Sequence, residues 1–157
     1  MMDEVLKQMH KFTHILAAAG LLIGTSLAGE PPVKIEQGWV RAVPPSSVDT
    51  AAYMTMVNSS DQPLRLTGGS TPVAQKLMLM VTTKKTISGQ ELMGMKEVDT
   101  LTIPAHGQLT LSPEGDHLML TALQEHPKPG QNVKVTLHFE PGAKDLTVEL
   151  PVVLNRP

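Results

Sequence analysis

Met93 and Met95 flank a single glycine, His117 and Met119 flank a leucine, and Met78 and Met80 flank another leucine. Residues two apart on a β-strand project to the same face of a sheet. If these three runs are strands, each sets two thioether or imidazole side chains next to one another. The chain holds ten methionines and no cysteine. Thioether sulfur is a poor ligand for Zn²⁺, Mg²⁺ or Ca²⁺ and a good one for Cu(I). The implied chemistry is reversible binding of a soft ion, Cu(I).

The missing thiol narrows this further. Without cysteine there is no disulfide framework, Cys-based zinc site, catalytic thiol or lipid-attachment residue. A blue-copper electron-transfer centre is excluded as well, because it needs a Cu–thiolate bond. In an oxidising compartment methionine can hold Cu(I) without exposing a thiol.

Every methionine also has an ordinary explanation, as a flexible apolar filler on the buried face of a strand. Met54 and Met56, beside Tyr53 and Val57, are assigned to the core on that ground, and so are Trp39 and Tyr53. The explanation is weaker for Met95 and for His117 with Met119. His117 directly follows the Gly115-Asp116 turn, at a sheet rim where a small site can stay open. His106 lies in a Pro-Ala-His-Gly turn and His126 sits between Glu125 and Pro127, so both read as solvated. His138, next to Phe139, falls mid-strand and could face either way. The spacing of these three favours no second metal site.

Composition excludes other partners and reactions. A net charge of −2 provides no basic field for nucleic acid or anionic lipid. One Trp, one Tyr and two Phe cannot build a base-stacking platform. No Gly-rich phosphate loop, nucleophile elbow, local triad or paired acid stands out, so an enzyme is not expected.

Residues 15–24 form a short apolar run after Lys7 and Lys11, followed by Ser26-Leu27-Ala28. This reads as a secretory signal peptide, residues 1–28, cleaved after Ala28. The run falls short of the roughly 20 apolar residues of a membrane span, so no stable membrane insertion is expected after cleavage. An uncleaved amphipathic or anchoring helix is the alternative. Asp3 and Glu4 are unusual in such a leader, which makes Met9 a candidate start. Residues 29–37, with Pro31-Pro32, form a linker, 38–153 a single domain and 154–157 a short tail. The leader removes three methionines and two histidines, leaving seven and four.

Within the domain, strands are expected at 38–43, 50–58, 64–70, 75–82, 91–98, 100–103, 108–112, 117–123, 132–140 and 145–153, with a polar loop over 83–89. Leu77 and Leu79 then share one face, and Met78 and Met80 the other. No segment sustains a helical period. Short strands between Gly/Pro turns indicate an all-β Greek-key β-sandwich.

From about Gly38 to Pro151 the chain resembles the PCuAC family of periplasmic copper chaperones. The resemblance rests on Trp39-Val40-Arg41-Ala42, Ala52-Tyr53-Met54, Ile103-Pro104-Ala105 and Gly115-Asp116-His117-Leu118-Met119-Leu120. The family's ligand pattern is a His, then a Met, then 21 residues, then His-x-Met. Between Met95 and His117 there are 21 residues here, and Met119 completes the motif. That spacing is far more specific than a bare His-x-Met. The first ligand departs: where the family reads Glu-Leu-His-Glu, this chain reads Met78-Leu79-Met80-Val81, and the stretch from Val81 to Gly94 is longer than usual. The family's Met/His-rich tail is also missing.

The resemblance implies a cupredoxin-like sandwich and a periplasmic, non-enzymatic protein. It would bind Cu(I) through Met80, Met95, His117 and Met119, with Met78 or Met93 compensating if Met80 does not bind. It would deliver Cu(I) by ligand exchange to a copper-accepting protein, such as a cytochrome oxidase subunit or another assembly factor. The competing class is a non-metal interaction module using the methionines as an adaptable contact surface. A copper oxidoreductase is a third class and would need ready cycling to Cu(II).

Overall fold

The computed structural model describes residues 32–142 and 144–154. The expected signal peptide, residues 29–31 and residues 155–157 lie outside the described residues. Ten strands and no helix are present among those described. They are β1 (Val33–Arg41), β2 (Asp49–Asn58), β3 (Leu64–Ser70), β4 (Ala74–Ile87), β5 (Gln90–Val98), β6 (Leu101–Ile103), β7 (Gln108–Leu111), β8 (His117–Leu123), β9 (Asn132–Glu140) and β10 (Leu146–Val153).

Hydrogen bonding runs in the order β5-β4-β8-β2-β1-β10-β9-β3-β6, with β7 also on β2. The path has two arms. Among the described residues, their strands pair with each other only where β1 and β10 run in parallel, at Val40–Val152 and Arg41–Val153. Both arms contribute to one apolar core: Val40, Ala52, Met54, Met56, Leu118 and Leu120 from the first, Leu66, Val133, Val135, Leu137, Phe139 and Val152 from the second. The arms therefore pack face to face as a β-sandwich. β9 shows how the sequence encodes this, with Val133, Val135, Leu137 and Phe139 alternating inward. Each such side chain contributes about 1.5–3 kcal/mol on burial, which makes the face assignment of each strand hard to reverse.

Two elements differ from expectation. β1 begins at Val33, inside the stretch expected to be linker, because Val33 pairs with Asn58 and Ile35 with Met56. Residues 83–89 are not a loop. β4 continues through them to Ile87, paired with β5 from Leu79–Val98 out to Ile87–Gln90. The reversal is a two-residue turn, Ser88-Gly89, with φ of 52° and 78°. Positive φ at both central residues is the type I′ geometry that matches strand twist. Gly89 adopts it freely. The result is a long β4–β5 hairpin on which nearly every residue beyond Thr83 is exposed.

Candidate metal centre

The register of β4 organises the site. Met80 pairs directly with His117 and Met78 with Met119. On its other side β4 pairs Thr82 with Met95 and Lys84 with Met93. Directly opposed residues share a face, as do residues two apart. Met78, Met80, Met93, Met95, His117 and Met119 therefore all lie on one face of the β5-β4-β8 sheet. Leu77, Leu79, Leu118 and Leu120 alternate with them and point into the core. The four residues expected as ligands come together on a single side, away from the core.

They differ in access. Met80 is 8% exposed and His117 7%, whereas Met95 is 58% exposed; Met119 is half-buried. Met95, His117 and Met119 line one cleft with Arg41, Asp49, Tyr53 and Pro113. Met95 and His117 also line a second, neighbouring cleft of about 620 Å³, with Thr82, Lys84, Met93 and the Pro113–Gly115 turn. Met80 is buried between Glu97 on β5 and His117 on β8 and lines neither of these two clefts.

The turn before β8 holds the imidazole. Ser112 N–H donates to Asp116 O at 2.9 Å, and Gly115 N–H donates to Ser112 O at 3.1 Å. Asp116 Oδ1 accepts the Thr82 N–H at 3.0 Å, tying this turn to β4 just past Met80. His117 Nδ1 lies 3.0 Å from Gly115 O. A carbonyl only accepts, so Nδ1 carries a proton, and in the neutral ring the lone pair is on Nε2. Many metal-binding histidines are oriented in this way, one ring nitrogen fixed by a backbone carbonyl.

Trp39 and Tyr53 are buried, as expected, but not in the central core. They are register partners, and Tyr53 alternates with the core residues Ala52 and Met54, so the pair lies on the ligand face. Their rings meet at a 44° tilt with centroids 4.6 Å apart, and the Tyr53 ring is 6.3 Å from the His117 ring. This aromatic wall was missed because burial was equated with the centre of the sandwich. The alternation of Tyr53 with Ala52 and Met54 is the signal that could have revealed it. Burial pushes the Tyr53 phenol above its ordinary value, partly offset by Arg41, whose guanidinium carbon sits 5.3 Å from the ring centroid.

Met54 and Met56 are core residues, as expected. The remaining histidines are separately engaged: His106 with Asp61, His126 Nε2 with Ser47 O at 2.7 Å, and His138 with Asp145 at 2.8 Å. Among the described residues, no group of three or more His, Cys, Asp or Glu side chains is placed to hold a metal. This face offers thioether sulfur and one imidazole, a donor set that suits Cu(I) rather than a hard ion.

Residues 33–152 match the LpqE-like family. Over 120 residues the chain is 32% identical to Lxx21020 of Leifsonia xyli subsp. xyli, which carries a lipoprotein name; the match covers 76% of this chain and 69% of the relative. Among solved structures, apo-DR1885 from Deinococcus radiodurans is 48% identical, with a TM-score of 0.60 over 82% of this chain and 83% of that one. Its Cu(I) form aligns at 45% identity and a TM-score of 0.64, with the same coverage. The copper-bound PCuAC domain from PmoF2 is 26% identical, with a TM-score of 0.64 over 79% of this chain and 94% of that domain. With a β-sandwich of this topology and 120 matched residues, the chain belongs to the LpqE-like family, of the PCuAC type.

Proposed function

We propose that the protein is an extracytoplasmic Cu(I) chaperone that holds one ion on Met80, Met95, His117 and Met119 and passes it on by ligand exchange. One observation carries this reading: His117, its Nε2 left with a free lone pair, is the cross-strand partner of Met80 and shares a cleft with Met95 and Met119. Solved relatives named as Cu(I)-bound and copper-bound support it. Three neutral thioethers and one imidazole form a softer set than the family's His-bearing pattern, which biases the site toward Cu(I) over Cu(II). The same neutrality makes each bond weak enough for an incoming ligand to replace, so copper need never be released free. No catalytic role is assigned.

The residues before Val33 fit this reading as a cleaved signal peptide (1–28) and a shortened linker, with periplasmic release. The 157 residues contain no cysteine to which a lipid could be attached. The recipient would be a copper-accepting protein, with cytochrome c oxidase copper-centre assembly as the favoured destination.

The test is copper K-edge X-ray absorption on the protein loaded anaerobically with one equivalent of Cu(I). The expected first shell is rich in sulfur with a single imidazole nitrogen. A shell of oxygen and nitrogen without sulfur would rule out the assigned ligands.

A further inference from the structure

Met93 takes no part in the four-ligand set, yet it has a defined place beside it. It lies two residues from Met95 on β5, on the same face, opposite Lys84. It lines the cleft that also contains Met95 and His117. Exposure rises along the series, from 7% at His117 and 8% at Met80 to 58% at Met95 and 59% at Met93. Met93 is one step further toward the Ser88-Gly89 tip, on a hairpin that also exposes Ile87 and Leu92. Met95 and Met93 thus place two exposed sulfurs along β5, leading outward from the cleft they share with the buried His117.

We infer that Met93 is a transfer ligand, through which Cu(I) enters and leaves but on which it does not rest. This rests on the proposed Cu(I) site. The step is a substitution at copper: a Cu–S bond to Met93 forms as a bond to one of the buried ligands breaks. Copper stays Cu(I), no electron changes hands, and each displaced donor recovers its own lone pair. Lys84, opposite Met93 and lining the same cleft, places a cation beside this outer position. It disfavours long residence of a second positive charge there, so the position is a passage rather than a store.

A group that only lowers the barrier leaves both end states unchanged, so loading and unloading must slow together when it is removed. The test compares wild type with Met93→Leu, which keeps the apolar volume and removes the sulfur from an exposed position. Anaerobic stopped-flow follows Cu(I) passing from protein loaded with one equivalent to excess bicinchoninate, and in the reverse direction. Competition with the same chelator supplies Kd. The expected result is transfer slowed at least about three-fold in both directions with Kd held within about five-fold, since rates and affinity are separable. Slowing below that threshold, or in one direction only, overturns the inference. So does a larger loss of affinity, which would make Met93 a resting ligand. Should wild type take up no Cu(I), the proposed site itself fails; should wild type bind and His117→Ala lose binding while Met93→Leu transfers normally, only the transfer role fails.

Discussion

In the proposed site His117 uses its two ring nitrogens differently. Nδ1 is tied to Gly115 O at 3.0 Å, which fixes the tautomer and leaves Nε2 for an ion. Across the strand pair the proposed site has the Met80 thioether where the family pattern has a second imidazole. Replacing that thioether by an imidazole, Met80→His should make the donor set harder and lower the preference for Cu(I) over Cu(II). Cu(II) affinity should rise, and parallel Cu(I) and Cu(II) titrations of wild type and Met80→His at one pH would check this. Tyr53 gives a separate pH prediction. Its pKa is raised in the folded state by burial, against a smaller opposing effect of Arg41. The resulting stability is fully present below about 10 and is lost as pH rises through the raised value. Denaturant titrations at pH 8 and pH 11 should therefore show a larger loss for wild type than for Tyr53→Phe. At this scale the shared face was legible, because two-residue spacing alone places Met78 with Met80 and His117 with Met119. The hydrogen bond from Nδ1 was not, since it depends on how the Pro113–Asp116 turn closes.

The β4–β5 hairpin and the turn before β8 do the positioning. Asp116 Oδ1 accepts the Thr82 N–H, so one carboxylate clamps the His117 turn to the strand carrying Met80. Asp116→Ala should cost about 1–2 kcal/mol, the typical loss for a charged acceptor to a backbone N–H. It should also weaken Cu(I) binding several-fold by loosening the imbedded imidazole, readable by urea unfolding and chelator competition on the same variant. The strand limits of β3, β8 and β9 follow directly from their turns and alternation. The outer half of the hairpin did not, because Thr82-Thr83-Lys84-Lys85-Thr86 is polar on both faces and gives no inward-facing signal. Its β-branched residues and the Ser88-Gly89 reversal are the local cues that favour strand over loop. Tertiary pairing with β5, rather than burial, stabilises it.

Across the whole molecule, function follows from using both faces of one arm. The inner face of β4, β8 and β2 packs against β9, β3 and β10 and holds the sandwich together. The outer face of the same arm carries Trp39 on β1, Tyr53 on β2, and the methionines and His117 on β4, β5 and β8. Because core and ligand residues alternate, the packing that stabilises the fold also holds the ligands in register. The sandwich was legible from strand count and turn spacing, whereas the parallel β1–β10 join and the early start of β1 needed the tertiary partners Val152, Val153 and Asn58. The central claim is that sulfur from β4 and β5 and one imidazole from β8 act on a single Cu(I). Anaerobic competition with bicinchoninate tests it most directly, using wild type, His117→Ala and Met80→Ala, each first shown to be folded. The account predicts one equivalent of Cu(I) for wild type, affinity lowered at least about a hundred-fold in His117→Ala and at least about ten-fold in Met80→Ala, or about 2.7 and 1.4 kcal/mol. Wild-type affinity in both variants would contradict it.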